Sequence, residues 1–340
     1  MQLDKIYFEV KNYIDKVDFS KLWKGFEPIK FALYTDDKCF FDGCYIEKTS
    51  DFLANTCIVY QGERVAIWNL KGEMDTTILA SKIVHEMFHG FHSMQGDCSF
   101  VDELDALYNY KYSHLNLDLK LKENHLLCSL SQVFDQKSFE ELLEIKKYRS
   151  QNFPYEYHYE AYIEQMEGSA DYVELMCLKQ LSQPLFHQRL LTIMQSIVEV
   201  EKMLPIRIAC YQTGALLLYI LKQNNIVFDD SLVKNSFAES LLLGVSPREC
   251  TSKFSTGDAI QKFFAESSKI VENALQKNDV VCDVSCNLLG VNVYNAVHIN
   301  NYIISYYFVM YGERENSQIK MGNFVIETHE NKKLTKIYRF

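Results

Sequence analysis

The sequence predicts an α+β protein: a predominantly helical centre, a mixed α/β region before it and a β meander after it. Three observations carry this expectation. After an opening helical stretch, short β-rich runs separated by polar turn clusters continue to about residue 70. Apolar residues then recur at three- and four-residue spacings from about Asp75 to Gln276. From Asp279 onward the texture returns to short runs, most with one apolar face. The divisions expected are therefore 1–74, 75–278 and 279–340, and 340 residues suffice for a substantial core and two or three structural units.

The first region opens with a helix near Leu3–Val17. Strands follow at Lys30–Tyr34, Cys44–Glu47, Ala54–Tyr60 and Arg64–Asn69, punctuated by Thr35–Lys38 and Gln61–Glu63. In the centre, Asp75 with Thr76 and Thr77 offers an N-cap, and Ala80, Val84, Met87, Phe91 and Met94 form one apolar stripe that Gly96 is placed to end. Leu115–Lys122 alternates with period two among helices, so both states stay open there. The tail strands are expected at Val280–Val284, Val291–Ile299, Tyr302–Tyr311, Ile319–Ile326 and Leu334–Phe340. With 13 Gly and 5 Pro, little chain is left for flexible linkers.

A formal charge of −10 argues against a general phosphate-binding surface, which needs clustered Lys and Arg, so no nucleic-acid partner is expected. The longest apolar run, Ala215–Leu221, is far too short to cross a bilayer. The N-terminus carries acids early and has no apolar signal-peptide core. Ten cysteines are spread from Cys39 to Cys286 without paired zinc-ribbon spacing, and read as reduced, mostly buried thiols. A cytoplasmic protein without a membrane partner is expected. The oligomeric state is not legible.

The chemistry concentrates in His85-Glu86-Met87-Phe88-His89. On a helix, residues four apart lie one above the other, so both imidazoles reach one ion, while Glu86 touches a water beside it. A third ligand is offered by Glu167-Gly168-Ser169-Ala170-Asp171. Glu167 and Asp171 again share a helical face, so Glu167 can ligate while Asp171 accepts a hydrogen bond from the far nitrogen of a ligating histidine. Gly168 removes a side chain where two helices must approach closely.

These two motifs together resemble the gluzincins, the thermolysin-like and aminopeptidase-N-like zinc peptidases. The string from Glu167 to Glu174 also resembles the Glu-Gly-x-Ala-x-Tyr-x-Glu form of several branches. The resemblance implies a zincin-like core, Zn²⁺ held by His85, His89 and Glu167, and a fourth position left for water. It implies a hydrolase acting on a peptide or protein, with Glu86 as general base toward metal-activated water. The alternative is a non-catalytic zinc-binding or regulatory module on a peptidase scaffold. Tyr211-Gln-Thr-Gly214-Ala215 is similar to the Tyr-x-x-Gly-Ala helix of aminopeptidase-N-like enzymes, which makes Tyr211 the candidate oxyanion donor. Thr213 stands where the family commonly has lysine. Tyr219 and the Tyr155, Tyr157, His158, Tyr159 cluster are weaker candidates. Val65–Asn69 resembles the thermolysin strand whose free edge holds extended substrate.

One departure is the spacing. Residues 90–166 separate His89 from Glu167, many more than in familiar members, so a helical insertion would have to loop out between Cys98 and Pro154. Glu103 is the competing ligand, closer in sequence but without the glycine and paired aspartate. His92 reads as a polar residue near the helix end. Glu164 and Glu174 read as a solvated helix edge, with binding of a substrate amine as the other reading. The aminopeptidase Gly-x-Met-Glu-Asn motif is missing, with Gly72-Glu-Met74-Asp only an echo.

Overall fold

A computed structural model of the chain describes residues 2–96, 101–232, 236–329 and 333–340, apart from the side chain of Val284. The fold is α+β, in two compact units made of interleaved segments. Met1–Ser99, Ile163–Gln195 and Tyr211–Leu243 form the first unit; Phe100–Tyr162, Ser196–Cys210 and Gly244–Phe340 form the second. The central helical stretch thus contributes to both.

In the first unit, α1 (Leu3–Ile14) and α2 (Phe19–Leu22) precede a five-stranded sheet. Its strands are β1 (Lys30–Tyr34), β2 (Cys39–Phe41), β3 (Cys44–Ile46), β4 (Thr56–Tyr60) and β5 (Glu63–Asn69), in the order β3-β2-β1-β5-β4. β1 and β5 run parallel with Leu33 opposite Trp68, and the other neighbours are antiparallel. The expected free edge at Val65–Asn69 is corrected: β5 lies between β1 and β4, and the outer strand is β4. Val65, Ala66 and Ile67 are buried in succession, as a strand covered on both faces requires.

The next element, α3 (Thr76–Met94), packs against α1, β4 and β5. Its first turn is capped by Asp75, whose carboxylate accepts the N–H groups of Thr77 (2.8 Å) and Ile78 (3.1 Å). Beyond Met94 the chain turns away at Gly96, whose φ of +130° is open chiefly to glycine. Four of the five expected stripe residues are buried, Met94 being exposed. Residues off that stripe, among them Leu79, Ile83 and Phe88, are buried too, so α3 is covered on most sides. The unit is completed by a π-helical turn (Glu164–Gly168), α8 (Ser169–Leu181), most of α9 (Gln183–Val198) and of α10 (Ile206–Gln223), and α11 (Phe237–Ser240).

In the second unit, α4 (Glu103–Asn109) leads into α5 (His114–Gln132), α6 (Gln136–Asn152) and α7 (Pro154–Ile163). The ambiguous Leu115–Lys122 is therefore helical. Leu117, Leu119 and Leu121 are all buried, as are the polar Asn116 before them and Lys120 among them, so this helix is buried on several faces and the alternation does not mark a strand. Between these helices lies an ionic core. Arg149 donates to Glu123 (3.1 Å) and Glu160 (2.6 Å), and Lys120 stands 3.2 Å from Glu160.

The second unit ends in α12 (Gly257–Lys277) and a seven-stranded antiparallel sheet. Its strands are β6 (Val280–Val291), β7 (Val297–Ile299), β8 (Tyr302–Ser305), β9 (Phe308–Glu313), β10 (Asn316–Met321), β11 (Phe324–His329) and β12 (Lys333–Arg339). The order β10-β9-β6-β12-β11-β8-β7 corrects the expected meander. β6 is long enough to pair twice: Val280–Asn287 faces β12 and Leu288–Val291 faces β9, with an irregularity between Leu288 and Gly290. The final strand therefore returns beside the first.

Among the described residues no helix is long and apolar enough to cross a membrane. None of the described cysteines is in a disulfide. Among them only Cys39, Cys177 and Cys210 are buried, and Cys44 is exposed, which corrects the expectation of mostly buried thiols.

Candidate metal centre

Three elements of the first unit build the centre. α3 carries His85, Glu86 and His89, the π-helical turn carries Glu167, and α8 carries Asp171 and Glu174. Trp23 and Phe26 hold the helices in place, their rings packing on Phe88 of α3 (5.3 and 5.2 Å between centroids), and Trp23 also on Tyr172 of α8. Gly168 and Gly214 set how closely the π-helical turn and α10 meet. A Cβ built on Gly168 would lie 2.7 Å from the Gly214 Cα, and one on Gly214 would lie 2.8 Å from the Glu164 carbonyl oxygen. Both obstructions are backbone, so neither can rotate away. Thr213 donates from its hydroxyl to Glu164 across the same crossing (2.7 Å).

Nε2 of His85 and Nε2 of His89 are 3.1 Å apart, and the Glu167 Oε2 lies 3.2 Å from His89 Nε2 and 3.9 Å from His85 Nε2. Zinc–ligand bonds of 2.0–2.2 Å at tetrahedral angles set donor atoms about 3.3 Å apart. Two sides of the observed triangle are close to that spacing, and the third closes with a half-ångström shift of one carboxylate oxygen. Two imidazoles and a carboxylate are a donor set that Zn²⁺ takes with one position left open. The residues fit the ion.

Behind the triangle, His85 Nδ1 lies 3.3 Å from the Asp171 carboxylate and 3.5 Å from that of Glu174. Burial alone would depress the basicity of His85, but the contacts with Asp171 and Glu174, together with Glu86, raise it well above an ordinary imidazole. Burial likewise opposes the charge of Glu174, yet His85, Lys82 and Arg189 hold its pKa down at about 2. Glu86 shows the reverse. Burial pushes its carboxyl up, only partly offset by the two histidines, and Glu167 and Glu174 add to the rise.

The histidine pair, Glu86, Glu167 and Asp171 are therefore brought together. The segment between the histidines and Glu167 leaves the first unit at residue 100 and returns at 163. Glu103 lies in the second unit, bonded to Arg207 (2.7 Å) and to the Tyr159 hydroxyl (3.1 Å). Tyr155, Tyr157 and His158 belong to that unit as well. Tyr211 is half-buried on α10, one turn before Gly214. Tyr219 sits further along α10, against Phe186. His92 is buried, its Nε2 2.8 Å from the Leu232 carbonyl oxygen.

The solvated edge read for Glu164 and Glu174 is corrected, since both are buried, at 1% and 4% exposure. Glu174 faces His85, and its register with Asp171 (i, i+3) was the signal that could have found it. Lys82, Arg189 and the π-helical turn carry no such signal. A cleft of about 90 Å³ in the second unit, lined by Tyr110, Tyr112, Tyr159, Arg207, Phe264 and His298, contains none of the predicted ligands.

No family model, curated protein or solved structure matches the chain. The likeness to gluzincins rests on the two motifs alone.

Proposed function

We propose that the chain is a zinc-dependent hydrolase, a peptidase acting in the cytoplasm, in which His85, His89 and Glu167 hold the metal. The observation that carries this reading is the convergence of three ligand atoms within 4.8 Å of one another, from parts of the chain far apart in sequence. The acid Glu86 lies between the two histidines in sequence, buried at 8% exposure.

Zn²⁺ in this place would supply Lewis acidity, polarising the substrate carbonyl and bringing the pKa of water toward neutrality. The remaining work falls to side chains. Glu86, made more basic by burial, takes a proton from the attacking water and passes it to the departing amine. Asp171 fixes the ring of His85 from behind, so that Nε2 keeps its lone pair toward the ion. Tyr211 is the proposed donor to the oxyanion that forms on the carbonyl. An extended peptide would add to the free side of β4, the outer strand that packs on α3.

The deciding experiment uses Glu86→Gln with a panel of fluorogenic peptides and a chelator control. Wild-type protein should cleave and lose cleavage with chelator, while the variant keeps its zinc and loses turnover by about 10²-fold or more. A zinc-loaded wild type that cleaves no peptide in the panel would favour a binding or regulatory module.

A further inference from the structure

We infer that Arg189, with Glu174 and Lys82, is a positioning device for the metal ligand His85, and that the second cluster of potential ligands here is not a second cation site. The inference rests on the zinc reading for its purpose, but not for its geometry.

His85 Nδ1, Asp171 and Glu174 form a fully buried group whose atoms approach closely enough to hold an ion. What surrounds them argues otherwise. Arg189, from α9, places Nη2 3.2 Å from Asp171 Oδ2 and Nε 3.7 Å from Glu174 Oε1. Lys82, one turn before His85 on α3, places its ammonium 3.5 Å from the same Glu174 oxygen. Two carboxylates therefore face two fixed cations. A divalent ion added there would have to displace both, against their charge.

The arrangement suits a different task. An imidazole Nδ1 carries one hydrogen, and it lies between two carboxylates at 3.3 and 3.5 Å without a well-aligned hydrogen bond to either. A single carboxylate would be enough to select the tautomer. A pair confines the ring from two directions, but two buried negative charges side by side repel unless balanced. The guanidinium supplies that balance in a rigid fork reaching both acids, which a lysine ammonium cannot do in the same way. Arg189 thus holds Asp171 and Glu174 on His85, and His85 Nε2 toward the place shared with His89 and Glu167.

The test compares wild type, Arg189→Gln and Arg189→Lys, with circular dichroism and thermal unfolding to establish that each is folded. Zinc affinity is measured by chelator competition, zinc stoichiometry by elemental analysis, and the His85 Nδ1–H by proton–nitrogen NMR with and without zinc. Wild type should bind one zinc and show a slowly exchanging Nδ1–H in both states. Arg189→Gln should weaken zinc by about 10- to 100-fold and lose the slow exchange, and Arg189→Lys should recover part of both.

Unchanged zinc affinity and unchanged Nδ1–H exchange in Arg189→Gln would overturn the inference, as would two zinc ions per chain. Should Arg189→Gln not fold, Arg189→Lys decides by the same two readouts. A wild type that takes up no zinc but shows the Arg189-dependent Nδ1–H would sink the peptidase reading and leave the device standing.

Discussion

Gly168→Ala asks whether the backbone contact between the π-helical turn and α10 sets the position of Glu167. The new Cβ would stand 2.7 Å from the Gly214 Cα, 3.1 Å from its carbonyl carbon and 3.3 Å from the Ala215 nitrogen. Carbon atoms are comfortable at about 3.5–4.0 Å, so the two segments must separate by roughly 0.8 Å or more. Overpacking of this kind costs about 1–3 kcal/mol. Alanine recovers about 0.5–1 kcal/mol of that by its helix preference, leaving a net loss of at most about 2.5 kcal/mol. Metal sites tolerate much less, since ligand distances hold to about 0.2 Å. Glu167 is the adjacent residue, so the variant should show a modest stability loss with a zinc affinity weakened about ten-fold or more. Thermal unfolding of the metal-free protein measures the first, and chelator competition the second. A folded variant with wild-type zinc affinity would refute the claim that this contact positions the ligand.

Further outcomes follow from other parts of the molecule. Glu103→Gln should leave zinc affinity unchanged by chelator competition, because its carboxylate is committed to Arg207 and Tyr159; a large loss would return it to the ligand set. Arg149→Met removes the guanidinium shared by Glu123 and Glu160, both 0–2% exposed, leaves them only the ammonium groups of Lys120 and Lys146 as counter-charge, and should cost about 3–5 kcal/mol in urea unfolding. A cost below about 1 kcal/mol would mean that the cluster relaxes around the loss. For Glu160, burial opposes ionisation but Arg149 and Lys120 outweigh it and hold its pKa below the ordinary value. Its folded value is therefore lower than its unfolded one, and the stability it adds is present above about pH 4.3 and lost as pH falls through the folded value. Glu160→Gln should flatten that acid limb in urea melts, and an unchanged limb would remove Glu160 as its source.

Much of the site was legible because helical chemistry is local. His85 and His89 had to share a face and Asp75 had to cap the helix, each through residues within one turn, whereas Gly168 was readable only as a missing side chain, its neighbour Gly214 lying far along the chain. The pairing of Glu167 with a motif far upstream was legible only through its own spacing to Asp171. What the sequence hid was long-range. Nothing in Val65–Asn69 announces that β4 pairs outside it; three successive buried residues are the trace, visible only once burial is known. β6 returning between β9 and β12 is a matter of tertiary pairing, which strand periodicity does not encode. The π-helical turn adds a residue without any characteristic residue type, and Ser169 then donates its hydroxyl to carbonyl oxygens of Gln165 and Met166 in that widened turn. Glu164 and Glu174 look like a surface edge in sequence because their partners come from other elements, Thr213 for Glu164 and Lys82 with Arg189 for Glu174.

The most direct measurement is an anomalous difference map at the zinc edge from crystals of protein loaded with one equivalent of zinc. The account predicts one strong peak within about 2.0–2.2 Å of His85 Nε2, His89 Nε2 and a Glu167 oxygen. A peak at Glu103, a peak on the Asp171–Glu174 side of His85, or none near the histidine pair would contradict it.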